Sequence, residues 1–279
     1  MQKIKCRFCL SRDVIEYGIR RNKHTCKQRY KCQKCSRTFV MNDGFLNRRF
    51  SSEIITIALD LWTRGLSLRQ VTEHLKQHHG TRVSHVTIMT WLRDYGELLK
   101  RHTDKMKPDV SGEWMADELV HFFNKHHNWL WNVMHKQKKF LLASQYAMFR
   151  YQQYADRVFE EAAEKGVPDM VQTDGLSNYP PAIKKTFGSS TRHEKHSSLK
   201  TKMNMNIVER LQGSCRDRII VTRGFSNPKN AQKIWNAWCV YYNFVRPHSS
   251  LGMTPAEACG LPVLKGNKWE YLIREAVNS

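Results

Sequence analysis

The stretch Asp169-Met170-Val171-Gln172-Thr173-Asp174-Gly175 decides the fold. A short apolar run that ends in a carboxylate and a glycine reads as a buried strand with Asp174 at its C-terminal tip. Open α/β sheets hold their ligands at that end of their strands. The stretch therefore predicts an α/β protein with a polar site at Asp174.

Working outward, Glu113 to Phe123 reads as another strand, in which period-two alternation puts Asp117 on the face of Met115 and Glu118 on the opposite one. On that pattern Glu118 is a poor substitute for Asp117. Residues 203–218 read as a helix. About 100° per residue lines up Met203, Ile207, Leu211 and Cys215 as an apolar stripe with Glu209 opposite it. Arg216, two turns on, shares the face of Glu209. A lone acid is most often a solvated surface charge. Three acids in this order, with 34 residues between Asp174 and Glu209, suit instead a carboxylate cluster beside a polyanion.

Between these elements lie two further strands, 128–134 and 139–144, joined by polar turns as an antiparallel meander. An amphipathic helix over 149–165 carries Tyr151, Tyr154, Ala155, Val158, Phe159 and Ala162, and stops at Gly166 and Pro168. His193, Lys195, His196, Lys200 and Lys202 form a basic stretch before the Glu209 helix, read either as a track for DNA phosphates or as a solvated loop. Asn204 and Asn206 orient DNA or cap that helix. Asn227-Pro228 opens a helix whose Ile234, Trp235, Trp238, Tyr241 and Tyr242 read as core, ended by Arg246-Pro247-His248. A last short helix starts at Thr254-Pro255 and closes at Gly260.

The motifs Ala116-Asp117-Glu118, Thr173-Asp174-Gly175, Asn206-x-x-Glu209-Arg210 with Arg216-x-Arg218, and Tyr242-Asn243-x-x-Arg246-Pro247-His248-x-x-Leu251-Gly252-x-Thr254-Pro255 together resemble the DDE insertion-sequence transposases. These are relatives of retroviral integrases with a ribonuclease-H-like core. The resemblance implies a core over residues 113–262, in the order strand, strand, strand, helix, strand, helix, helix. It also implies Asp117, Asp174 and Glu209 as ligands of two Mg²⁺ or Mn²⁺ ions, with Arg216 as a catalytic partner of phosphate or carboxylate. Arg210, Arg218, Arg246 and His248 are then expected to approach DNA. The sequence departs from the pattern at Leu119, where relatives carry Thr or Ser, and at His135, where many carry Asp. Two hard cations clamp the attacking and leaving oxygens of a phosphodiester, and three acids suffice to hold them. The implied reaction is cleavage at the element's ends and strand transfer into target DNA, with no covalent protein intermediate. A homodimer or larger assembly in the cytoplasm or nucleoid of a prokaryote is the expected working form. The rival readings are a catalytically silent DNA-binding regulator and an integrase-like nuclease, which terminal repeats beside the gene would distinguish.

Composition agrees. The 279 residues carry 46 Lys and Arg against 25 acids, a formal charge of +21, which calls for a polyanionic partner. No apolar run spans a membrane and no lipidation motif is present. In residues 1–45, Cys6-x-x-Cys9 and Cys32-x-x-Cys35 have the spacing of one structural Zn²⁺ site, a zinc ribbon. A disulfide-stapled domain and ligation by His24 or Cys26 are the alternatives. Residues 46–102 read as three helices: one with Ile54, Ile55, Ala58, Leu59 and Trp62 on one face, a second capped by Ser67, and a third starting near Ser84. They resemble a helix-turn-helix, with Ser84, His85, Thr87 and Thr90 toward bases and Arg93 toward phosphate; a plain packing unit is the alternative. Residues 103–112 read as a linker and 263–279 as a tail.

Overall fold

The computed structural model describes residues 4–21, 26–123, 126–196, 202–222 and 228–278. At the front, β1 (Val14–Arg21), β2 (Cys26–Cys32) and β3 (Thr38–Val40) form an antiparallel sheet. Its apolar cluster of Cys6, Cys32 and Phe39 is separate from the main core. So small a core points to metal binding as the source of its folding energy.

Helix α1 (Ser52–Thr63) starts where Ser51 Oγ accepts from Ile54 N–H, and buries Ile54, Ile55, Ala58, Leu59 and Trp62. Helix α2 (Leu68–His79) opens with a Ser67/Gln70 capping box and ends at left-handed Gly80, the αL stop that glycine adopts without strain. Helix α3 (His85–Thr103) is capped by Ser84 and buries Ile88, Trp91, Leu92, Tyr95 and Leu99.

The main sheet is built from β4 (Glu113–Phe123), β5 (His126–His135) and β6 (Leu141–Ala147), an antiparallel meander, followed by α4 (Gln152–Ala163) and β7 (Met170–Thr173). Then come α5 (Tyr179–Phe187), β8 (Arg192–Lys195) and α6 (Lys202–Thr222). Helix α7 (Pro228–Val240) runs into a π turn, Tyr241–Val245, and α8 (Pro255–Ala258) and α9 (Lys268–Ala276) close the chain. The strand order is β6-β5-β4-β7-β8, with β7 parallel to both β4 and β8. The meander, the helix and the Asp174 strand follow the sequence reading.

Three elements depart from that reading. Helix α5 was not among the expected elements; Pro180 and Pro181 occupy its first turn, where no intrahelical N–H is needed. The basic stretch begins not as a loop but as β8, whose residues Arg-His-Glu-Lys carry no apolar signal because the strand lies at the sheet edge. Residues read as a tail form α9, which buries Trp269, Leu272 and Ile273.

The core is continuous from Phe45 through the sheet to Ile273. Helices α3 and α7 approach so closely that a β-carbon on Gly96 would stand 2.3 Å from the Lys233 carbonyl oxygen. The edge of β6 is closed by Asn243 of the π turn: its Oδ1 accepts from Leu141 N–H at 2.9 Å and its Nδ2 donates to Leu141 O at 2.8 Å. One side chain thus satisfies both free backbone groups, which a buried strand edge would otherwise leave unpaired. That is a structural role for the Tyr-Asn pair in the motif.

Candidate active site

Strand β7 pairs with β4 only as far as Thr173 opposite Ala116. Beyond that point β4 has no neighbour on this side, and Asp117 and Asp174 follow the last pair directly. Carboxylates from both faces of β4 can then turn into the gap. Ligand oxygens of Asp117, Glu118 and Asp174 all lie within 4.8 Å of one another. The expectation that alternation keeps Glu118 away from the cluster is corrected by the early end of β7.

The two β4 acids are held differently. Asp117 Oδ1 accepts from the Glu118 N–H at 2.9 Å, and its Oδ2 from Gln212 Nε2 of α6 at 2.5 Å. Glu118 is engaged from the α5 side, accepting from Tyr179 Oη at 2.7 Å and from Arg150 Nη2. Asp174 Oδ1 accepts from Leu176 N–H at 2.9 Å, which fixes the turn after β7. Burial, reinforced by the neighbouring charges of Glu118, Asp174 and Glu209, pushes the Asp117 carboxyl up to about 7. Burial also raises Glu118, against the pull of Tyr179 and Arg150. Oxygen donors crowded this way suit a hard divalent cation, whose charge relieves their repulsion.

Glu209 and Arg216 are both exposed, on one side of α6. Glu209 stands outside the tight group but close enough to act electrostatically on Asp117. The buried stripe of α6 is Val208, Leu211, Cys215, Arg218 and Ile219; it keeps Leu211 and Cys215 of the predicted stripe, Ile207 is half-buried, and the side chain of Met203 lies outside the described residues.

The buried stripe overturns one expected DNA contact. Arg218 is 2% exposed, with its guanidinium 4.1 Å over the Trp62 ring. It donates to the carbonyls of Trp62 and, at 3.0 Å, of Leu66. Its place on the buried stripe makes it a tie between α6 and the α1–α2 turn, out of reach of DNA.

The other predicted contacts fall in several places. Lys195, at the end of β8, pairs with Thr173, and its Cε is 3.7 Å from where a β-carbon on Gly175 would stand. His193 Nε2 is bonded to Thr173 Oγ1 at 2.9 Å, a sheet contact. Lys200 and the side chains of Lys202, Asn204 and Asn206 lie outside the described residues. Arg246 packs against Tyr242 and donates to Ser214 Oγ at 3.4 Å. On α3, Ser84 Oγ accepts from Thr87 N–H at 3.1 Å, Thr90 Oγ1 donates to Val86 O at 3.0 Å, and Arg93 contacts Asp94. His85 is exposed at the start of that helix.

Sequence reasoning missed Gln212, Tyr179 and Arg150. Gln212 had a signal: three residues after Glu209, it lies about 60° round the same helix. Tyr179 and Arg150 had none, since their helix and loop are brought to the cluster by tertiary packing.

In the ribbon, Cys6, Cys9, Cys32 and Cys35 converge within 4.8 Å. The sulfurs of Cys6 and Cys35 are 3.6 Å apart and those of Cys9 and Cys32 3.5 Å. Tetrahedral zinc at about 2.3 Å from each sulfur puts sulfurs about 3.8 Å apart, so four thiolates here fit that ion. Cys26 is exposed and outside the group; His24 is outside the described residues.

A mixed sheet with acids gathered where β7 ends beside β4, and a long helix bringing a further acid alongside, defines a ribonuclease-H-like core of the DDE class. Residues 111–248 match the family model of the DDE domain of IS240-type transposases. No curated protein matches it. Among solved structures it is similar to the HTLV-2 integrase catalytic core in complex with magnesium, at 14% identity and TM-score 0.41, covering 55% of this chain and 98% of that one. It is also similar to a simian T-cell lymphotropic virus intasome chain, at 13% identity and TM-score 0.43, covering 76% and 74%. Among the described residues no helix is long and apolar enough to cross a membrane.

Proposed function

We propose that Asp117, Asp174 and Glu209 hold two divalent cations, Mg²⁺ or Mn²⁺, with which the protein cleaves the ends of its element and joins them to target DNA. The observation that carries this is the meeting of Asp117 and Asp174 at the end of β7 with ligand oxygens within 4.8 Å. Glu118 belongs to the same group, yet Tyr179 and Arg150 already engage both of its oxygens. Glu209 lies on the side of α6 nearer Asp117 and, among the described residues, pairs with no cation. When bound, such ions neutralise the phosphodiester and stabilise its attacking and leaving oxygens.

The chain's own residues do the positioning. Gln212 fixes the rotamer of Asp117, and the Leu176 N–H that of Asp174. Arg216 supplies a cation on the Glu209 face for the phosphate. The ribbon, with one Zn²⁺ on its four cysteines, and the α1–α3 helices, read as a helix-turn-helix presenting the start of α3, bind the terminal repeats. Lys195 contributes beside Asp174. Two ends must meet, so a homodimer or larger assembly is the working form.

The test compares wild type with Asp174→Asn on a labelled DNA end with Mg²⁺ and a target plasmid. Wild type nicks and joins the end, while the variant binds it and does neither. If both bind equally and neither cuts with any divalent ion, the protein is a DNA-binding regulator.

A further inference from the structure

A second cationic site lies across α6 from the carboxylates. Lys139, in the turn between β5 and β6, has φ +57°, a left-handed conformation that Gly or Asn adopts far more readily than Lys. Two residues on, Leu141 is pinned to Asn243 by the paired hydrogen bonds of that amide. Three residues after Asn243, Arg246 reaches Ser214 Oγ of α6, and Ser214 itself donates to the carbonyl of Arg210 one turn earlier. The turn, the π segment and α6 thus bring Lys139, Arg246 and Arg210 together, with His248 beside them. Each of the three cations acts on the His248 imidazole, which burial and their charge push down. Lys139 Nζ spends one donor on Lys136 O at 2.9 Å. Among the described residues none of the three cations forms an ion pair, whereas Lys136 and Lys138 in the same turn pair with Glu113 and Asp109.

Like charges held together without an acid, one of them on a backbone conformation unfavourable to its residue type, require an anion to be worth keeping. We infer that Lys139, Arg210, Arg246 and His248 form a binding site for a backbone phosphate of the DNA whose scissile bond lies at the carboxylate cluster. This rests on the proposed transposase reading and deepens it. Arg210 projects on the opposite side of α6 from Gln212, so the site is about one helix diameter, about 10 Å, from Asp117. Successive phosphates of a strand lie farther apart than their about 3.4 Å axial rise, so the contacted phosphate is about one or two nucleotides from the reacting one.

The position allows a test that separates binding from folding. Lys139→Gly removes the cation and suits the left-handed backbone, so its melting temperature is at or above that of wild type. Its affinity for a duplex carrying the element end drops about three- to tenfold near 0.15 M salt, and the slope of log affinity against log salt falls by about one. Lys139→Glu loses more, and Lys139→Arg keeps both slope and affinity. A Lys139→Gly protein with wild-type affinity and slope overturns the site. So does one that melts lower and binds less in proportion, which would make the lysine structural. If wild type binds and joins DNA while Lys139→Gly does so equally, only this inference falls; if wild type neither binds nor cuts, the transposase reading falls with it.

Discussion

Replacing Asp117 by Asn should stabilise the metal-free protein, and increasingly so as pH rises from about 4 to 7. In the fold the Asp117 carboxyl is pushed from its ordinary 3.8 up to about 7, by desolvation first and then by Glu118 and Asp174. At about 1.4 kcal/mol per decade the interval corresponds to about 4 kcal/mol, which the group's partial exposure to solvent reduces to about 2 kcal/mol. A raised carboxyl costs nothing below about pH 4, where folded and unfolded states are both protonated. The cost grows as pH rises and is complete above about 7. Asn is never charged and escapes it, while its amide still meets Gln212. In chelator at pH 8, Asp117→Asn should therefore melt about 4 °C above wild type, taking about 2 °C per kcal/mol for a chain of this size; at pH 4.5 the two should nearly coincide. Added Mg²⁺ at pH 8 should raise the melting temperature of wild type and leave the variant unmoved, since the ion compensates the same repulsion. A variant that melts at or below wild type in chelator at pH 8, or an increment equal at both pH values, would refute the electrostatic account of the cluster.

Arg218→Ala should cost about 2–4 kcal/mol in denaturant unfolding, from the lost contact with Trp62, the two carbonyl bonds and the cavity. It should leave the salt dependence of DNA binding unchanged; a reduced slope would return Arg218 to the DNA surface. Cys32→Ser should abolish bound zinc by metal analysis, unfold the ribbon and weaken end binding, with strand transfer from precleaved ends less affected. Equal loss of both would break that division of labour. Asn243→Ala should cost about 1–3 kcal/mol by leaving both Leu141 backbone groups unpaired, seen as faster amide exchange at Leu141; unchanged exchange would mean water replaces the side chain.

The parts of the site that were legible are those written in contiguous residues. Asp174 was readable because four buried residues, a carboxylate and a glycine make a strand end within one window. Asp117 was readable from alternation along β4. Glu118 was misjudged because alternation assumes neighbours on both sides, and β7 stops two residues short of it. Arg218 was misjudged because its motif position suggested DNA, although seven residues after Leu211 it falls on the predicted apolar stripe. Helix α5 and β8 were hidden by prolines and charges whose roles depend on being first in a helix and last in a sheet. Neither fact is local.

What the sequence could not state at all is how the front helices are joined to the catalytic sheet. The join has three separate supports. Gly96 lets α3 lie against the backbone of α7. Lys100 of α3 bonds Glu161 of α4 at 2.8 Å as well as Asp104 of its own helix, which Lys165 reaches at 3.1 Å. Arg218 ties the far end of α6 to the α1–α2 turn. Partly buried charges of this kind add little net stability, but they fix register, and the register they fix bears on function. Helix α6 carries Glu209 and Gln212 about its middle and Arg218 nearer its C-terminal end, so the orientation of the first two toward Asp117 is set partly by the helices at the front of the chain. A residue whose charge and motif position suggested DNA therefore acts from inside the core, on the geometry of the acid cluster.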